Sequence, residues 1–148
     1  STPPPAISLF ITQLSLPRYL KTFSLYSILI LTTLLSASSP FAVLMGVPLN
    51  ESISVGQLLG TKTVFNEFLG YLNLKDMVAN NLLSQRSITI STYALCGFSN
   101  FGSIAILIGG LGSLAPTRKK EVASLGFKSL IGGTLTSFIT ACISGILL

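Results

Sequence analysis

The sequence contains no histidine and very few charged residues. Without histidine, neither histidine-based catalysis nor histidine ligation of a metal is available. Only 9% of the 148 residues are charged, whereas an ordinary soluble domain carries about 25%. A soluble domain of this length could not cover its surface with so few charges, so the composition indicates an integral membrane protein.

Motifs for enzyme chemistry and for nucleic-acid binding are also missing. There is no phosphate-binding glycine loop with its lysine and no Ser/His/Asp set, so we predict no enzyme activity, no catalytic residue and no metal site. The net charge is +5, but the basic residues are scattered, which argues against a nucleic-acid partner. The two cysteines, Cys96 and Cys142, lie in apolar runs and are interpreted as small buried hydrophobic residues.

Apolar residues occur in long runs, which favours transmembrane helices over a barrel of short alternating strands. Residues 122–148 form the clearest run, and they are long enough to cross a bilayer, which takes about 20 residues. A second transmembrane helix is predicted to begin near Phe23, within an N-terminal segment at residues 1–39. We therefore predict an all-α integral membrane protein.

Two further segments are apolar but interrupted. Residues 55–71 are short for a span and contain Glu67, a pattern typical of a re-entrant helical hairpin. Residues 87–115 carry a polar, glycine-rich stretch around Asn100, which predicts a discontinuous helix. Interrupted helices occur at membrane depth where the freed backbone lines a cavity, and in secondary transporters such breaks bind substrate.

The C-terminal run has two further features. Residues 116–121 form a loop with three consecutive basic residues, which the positive-inside rule places in the cytoplasm. Small residues then recur every four positions, at Ser129, Gly133, Ser137, Ala141 and Gly145. Such a stripe allows close helix packing, although small residues are common enough in membrane helices for chance to explain it.

Glu67 is the most informative polar residue, because an ionisable group at membrane depth is costly and persists when it is paired or functional. It could accept hydrogen bonds from a polyhydroxylated solute or help to hold a cation. Alternatively, residues 62–76 form an exposed loop in which Glu67 pairs with Lys62 or Lys75.

Asn100 and Ser103 are three residues apart and would share one helix face. With Asn66 and Glu67 they could form a hydrogen-bonding set for ribose-type hydroxyls. Phe98 could rest on a planar base, or it could simply face lipid or the protein core. Alternatively, Asn100 and Ser103 form interhelical hydrogen bonds that tie helices together.

Three blocks of sequence resemble the C-terminal part of the concentrative nucleoside transporters, over about residues 40–148. The first, at residues 60–68, matches the family signature Gly-x-Lys-x-x-x-Asn-Glu-Phe. The second covers residues 96–103 and the third covers residues 109–119. Three ordered blocks at the family's spacing make the resemblance specific, and the departures from its pattern remove no polar group.

The resemblance implies a symporter that moves nucleosides such as uridine and adenosine together with sodium or protons. It also implies a homotrimer at full length, a plasma-membrane location and no cofactor beyond the transported ion. In this family Glu67 would lie in the second re-entrant hairpin, and the discontinuous helix would carry Phe98, Asn100 and Ser103. Glu67, Asn100 and Ser103 would bind the ribose, Phe98 would contact the nucleoside, and Asn66 is a further substrate-binding candidate.

In the family, further helices and a first re-entrant hairpin precede this region, and they supply most of the base recognition and the sodium site. Residues 1–39 do not resemble those parts. We therefore expect this chain to hold about half of a binding site and to be incomplete as a transporter alone. The alternative is a truncated, non-transporting membrane protein that associates with full-length transporter subunits and modulates them.

Overall fold

The computed structural model describes residues 36–148, so the transmembrane helix predicted to begin near Phe23 lies outside the described residues. The helices are α1 (Ser39–Leu44), α2 (Ser52–Val64), α3 (Glu67–Ala79), α4 (Gln85–Leu95), α5 (Phe101–Leu114) and α6 (Lys119–Leu147). A short 3-10 helix, Pro116–Arg118, precedes α6. No strand occurs within residues 36–148, and the predicted all-α class is confirmed.

Polar side chains cap three of the helices, α3, α4 and α5. The side chain of Asn66 accepts from the backbone of Leu69, and that of Asn100 accepts from the backbone of Ser103. Ser84 caps α4 in the same way. An Asn or Ser oxygen in this position satisfies one of the free N–H groups of the first turn, so the local sequence fixes where these helices begin.

The hydrophobic core lies where α2, α4 and α6 meet, with α1 packed on α2. The largest fully buried apolar side chains of this core are Val55, Leu58, Leu59, Ile90 and Leu95. By contrast, most large apolar side chains of α5 and α6 point outward, including Ile106, Leu114, Ile139 and Ile146. Such outward apolar faces suit a hydrocarbon environment rather than water.

The small-residue stripe of α6 is a packing surface along most of its length. Ser137, Ala141 and Gly145 are buried. A Cβ atom built on Gly145 would lie 2.8 Å from the carbonyl oxygen of Met45, and one on Gly133 would lie 2.5 Å from Ser99 Oγ. A side chain at Gly145 would therefore push α6 away from the rest of the chain, whereas one at Gly133 would require Ser99 to move, so the stripe allows close packing at these positions.

The first interrupted segment is longer than the re-entrant region predicted at residues 55–71. Helices α2 and α3 flank a break at residues 65–66 and together extend from Ser52 to Ala79. Helix α3 continues past residue 71 because it packs on α4: Leu74 is buried, and the Tyr71 hydroxyl donates to the Thr92 carbonyl oxygen at 2.8 Å. The alternative of an exposed loop at residues 62–76 is wrong, because all but two of these residues are helical.

The second interrupted segment consists of α4 and α5, with residues 96–100 between them in non-helical conformation. Helix α5 is apolar but short, and both α4 and α5 pack on α6. Within residues 36–148, one helix is long and apolar enough to cross a bilayer, namely Pro116–Leu147, which joins the 3-10 helix to α6.

Candidate functional site

The two helix breaks lie against each other. Asn66 and Asn100 both have extended backbone and both cap the helix that follows. A Cβ atom built on Gly102, in the first turn of α5, would lie 3.9 Å from the carbonyl oxygen of Phe65 in the other break. The N-termini of α3 and α5 therefore meet, and each carries free N–H groups and the positive end of a helix dipole.

Asn100 connects the two helix starts. Its side chain is only 3% exposed, and its Nδ2 donates to Glu67 Oε2 at 3.0 Å. Its Oδ1 accepts from the backbone N–H of Ser103 at 2.8 Å and from the Ser103 hydroxyl at 2.9 Å. Donor and acceptor partners on opposite sides of the amide fix its orientation, so the group is held rigidly.

The link between Asn100 and Ser103 has a different origin from the one predicted. The two residues were expected to share a face of a continuous helix, whereas Asn100 is the N-cap and Ser103 lies in the first turn of α5. Asn100 also joins α5 to α3 through Glu67. The interhelical alternative therefore describes one of its contacts, and the capping contact is the other.

Glu67 is the first residue of α3 and is half-buried. A carboxylate is favourable at this end of a helix, because it faces the positive end of the dipole. Its Oε2 accepts from Asn100, while its Oε1 has no hydrogen-bond partner among residues 36–148. In the described part of the chain neither Lys62 nor Lys75 forms an ion pair with it, so the proposed structural pairing is wrong.

Asn66 and Phe98 stand apart from this hydrogen-bonded set. Asn66 Oδ1 accepts from the N–H of Leu69 at 2.9 Å, and its Nδ2 makes no hydrogen bond within the described residues. Phe98 is 80% exposed. Together with Asn100 and Ser103 it lines a shallow cavity of about 80 Å³ between the start of α5 and α6. The structure therefore joins Glu67, Asn100 and Ser103 directly and places Phe98 beside them.

Lys62 and Ser137 are important residues near the breaks that the sequence analysis did not assign to the site. The Lys62 ammonium donates to the Ala94 carbonyl oxygen at 2.9 Å and to Ser137 Oγ at 3.2 Å. Ser137 Oγ in turn donates to the Cys96 carbonyl oxygen at 3.1 Å. The available signals were a lone cation inside an apolar segment and a hydroxyl on the small-residue stripe. Cys96 itself is exposed rather than buried, because it lies where the chain leaves α4.

Comparison with known proteins identifies the family. A family profile described as "Na+ dependent nucleoside transporter C-terminus" matches residues 9–145, and so it begins ahead of residue 40, where the resemblance was expected to begin. Solute carrier family 28 member 3 of Eptatretus stoutii is 50% identical in an alignment 121 positions long, which covers 73% of this chain and 18% of that protein. The nucleoside permease NupC of Helicobacter pylori is 42% identical in an alignment 121 positions long, which covers 80% of this chain and 28% of the permease.

The fold is similar to that of solved transporters. A structure of CNTnw in an inward-facing substrate-bound state matches with a TM-score of 0.73 and 41% identity, over 78% of this chain and 28% of that one. The chain thus spans less than a third of the length of each of these relatives. Since the profile covers most of the chain, this all-α membrane protein belongs to the Na+-dependent nucleoside transporter family and corresponds to its C-terminal part.

Proposed function

We propose that this chain supplies the ribose-binding part of a cation-coupled nucleoside symporter. The observation that carries the proposal is the hydrogen bond between Asn100 Nδ2 and Glu67 Oε2, which joins two helix breaks in a member of a nucleoside transporter family. Helix breaks at membrane depth give a solute access to backbone and side-chain polar groups that a continuous helix would keep for itself.

The unsatisfied hydrogen-bond donors and acceptors at this site suit a vicinal diol. Glu67 Oε1 is an unpaired acceptor among the described residues, and the Ser103 hydroxyl can still accept while it donates to Asn100. Asn66 Nδ2 is an unpaired donor one residue from Glu67. A carboxylate can accept hydrogen bonds from two hydroxyl groups, and ribose offers two adjacent hydroxyl groups, whereas a planar base has none. Phe98, largely exposed beside Asn100, would contact the nucleoside.

Several properties of the whole transporter belong to this proposal. We propose that sodium or protons drive uptake and that the full assembly is a homotrimer in the plasma membrane. We also propose that residues 116–121, which form the 3-10 helix and the start of α6 rather than the expected loop, face the cytoplasm. The last point rests on three consecutive basic residues. Transport would further require segments equivalent to the rest of the longer relatives, on this polypeptide or on another.

The test is uptake of radiolabelled uridine and adenosine, with and without a sodium or proton gradient. The protein is produced from its complete gene in cells that lack other nucleoside carriers. Glu67→Gln keeps the shape of the side chain but removes its charge. We expect it to lower uptake at least about a hundredfold, because the substrate hydroxyl groups lose a carboxylate acceptor. Asp76→Asn is the matched control, since Asp76 is an exposed carboxylate on the same helix.

Each outcome has a distinct meaning. Gradient-dependent uptake that is lost in Glu67→Gln and kept in Asp76→Asn supports the proposal. Uptake that survives Glu67→Gln at normal surface abundance contradicts the assignment of the ribose site. If the protein reaches the membrane without transporting but changes uptake by a co-expressed transporter, the modulator alternative is correct.

A further inference from the structure

Lys62 is the one charged side chain among the buried residues of the described chain, and it is 1% exposed. An ammonium group is costly to bury, and buried charges are normally paired with an opposite charge. The one ion pair within residues 36–148 is Arg118 with Glu121, far along the chain. No carboxylate therefore lies within ion-pair distance of Lys62 there, and its ammonium is held by contacts of another kind.

The ammonium lies at the C-terminal end of α4. The last carbonyl groups of a helix have no partner within the helix and carry the negative end of its dipole, where a cation is favourable. Ala94 belongs to this last turn, and its carbonyl oxygen accepts from Lys62 Nζ at 2.9 Å. Lys62 thus caps α4 from a different helix, α2.

Ser137 extends this contact to α6 and to the break itself. Its hydroxyl accepts from Lys62 and shares its one proton between the carbonyl oxygen of Cys96, the first residue after α4, and that of Gly133 on its own helix. Gly97 follows with a φ of +151°, and a Cβ atom there would lie 2.7 Å from Ser137 Oγ and 3.8 Å from Lys62 Nζ. The chain therefore passes closely around the ammonium and hydroxyl as it leaves the helix.

The same side chain provides a second connection between the two breaks, besides that of Asn100. Lys62 lies in the last turn of α2, shortly before the break at residues 65–66, and its ammonium fixes the start of the break at residues 96–100. Beyond that break, Asn100 reaches back to Glu67. The two connections together determine how far apart Glu67 and Asn100 lie.

We propose that Lys62 is a positioning residue for nucleoside binding: its ammonium, held by Ala94 and Ser137, fixes the α4–α5 break so that Asn100 meets Glu67. This inference rests on the proposed function for its effect on nucleoside affinity. Its effect on the geometry of the break is independent of transport.

The first experiment measures uptake against nucleoside concentration, normalised to surface abundance, for the protein from its complete gene. Lys62→Met removes the charge at similar length, and we expect the KM to rise about tenfold, because hydrogen bonds of a buried charge are lost. Ser137→Ala removes one of the two acceptors, so a rise of about threefold is expected. Lys75→Met, the same change at an exposed position of α3, is the control and should leave the KM unchanged.

The double variant Lys62→Met, Ser137→Ala distinguishes a shared contact from two separate ones. Because both residues act through one network, its KM should lie within about twofold of that of Lys62→Met alone. If the KM of the double variant rises by the product of the two single increases, the inference is contradicted. An unchanged KM, with uptake that falls only as surface abundance falls, means that Lys62 serves stability alone and overturns it.

Amide hydrogen exchange of the purified protein supplies a readout that does not depend on transport. Lys62→Met should increase exchange in the last turn of α4 and at Cys96, whose N–H bonds the Tyr93 carbonyl oxygen, and leave the other helices unchanged, while Lys75→Met should change neither. Unchanged exchange in the last turn of α4 and at Cys96, or a uniform increase over all helices, overturns the inference. If the unmodified protein does not transport nucleosides, the proposed function fails, and this measurement still decides whether Lys62 positions the break.

Discussion

The two helix breaks use the same capping chemistry but are fastened very differently. The break at residues 65–66 is short, and Asn66 bonds only the backbone of its own helix among the described residues. The break at residues 96–100 contains the buried residues Ser99 and Asn100. Side chains from α2, α3 and α6 bond its ends.

This difference suggests how the backbone of a broken helix can be accessible to a solute and still hold one conformation. Free backbone groups at a break are useful to a solute, but they leave the chain without local restraint. The second break obtains its restraint from tertiary contacts, and the first obtains it from one cap and from the packing of α3 on α4. We therefore expect the first break to tolerate change and the second to be sensitive to it.

The largest effect is expected at Gly97. Its φ of +151° disfavours any other residue, and an added Cβ atom would meet Ser137 Oγ at 2.7 Å. Gly97→Ala should therefore lower the free energy of unfolding by about 2–4 kcal/mol, measured by thermal unfolding in detergent. Gly110→Ala is the control, because nothing lies within 4 Å of its added Cβ and alanine favours a helix. Equal destabilisation by both variants would contradict the expectation that the break at residues 96–100 is more sensitive to an added Cβ atom than helix α5.

The two capping asparagines test the comparison directly. Asn66→Ala should lower the free energy of unfolding by about 1 kcal/mol, which is the usual loss of an N-cap. Asn100→Ala should lower it by about 2–3 kcal/mol, because it also leaves Glu67 without its donor in a half-buried place. Unfolding of both variants under the same conditions gives the difference, and equal losses would mean that the link to Glu67 contributes nothing to stability.

The smallest effect is expected far from the breaks, at Glu51, which precedes α2 and accepts hydrogen bonds from the backbone and hydroxyl of Ser84 at the start of α4. Partial burial raises the pKa of Glu51, but the nearby Ser87 hydroxyl and the hydrogen bonds from Ser84 outweigh it, so the pKa lies below its ordinary value. A lowered pKa in the folded state means that the ionised form stabilises the fold.

This contribution should be complete above the ordinary carboxyl pKa and disappear as the pH falls through the lowered value. Glu51→Gln should lower the free energy of unfolding at neutral pH by about 0.5 kcal/mol and flatten its dependence on pH in the acid range. Unfolding of both proteins at pH 7 and at acid pH below the ordinary carboxyl pKa provides the measurement. Parallel pH dependences would exclude a role for the Glu51 carboxylate.

Much of the candidate site could be predicted because its residue types are rare in an apolar chain. Glu67 and Asn100 were identified as polar residues within apolar segments, and the structure brings them together at 3.0 Å. The reason for the pairing of Asn100 with Ser103 was wrong, because helical spacing and N-capping both bring residues three apart together. Lys62 was considered only as a partner for Glu67, since sequence does not say which helix end a long side chain will reach.

The amino-acid sequence by itself determined the helical membrane class and the local starts of the helices, because composition, apolar runs and capping residues act over short distances. It also determined family membership through its ordered motifs. Only the tertiary structure decided that the two breaks meet and that Lys62 caps α4 from α2. These outcomes depend on how distant segments pack, and long polar side chains bond whichever unsatisfied groups that packing brings within reach.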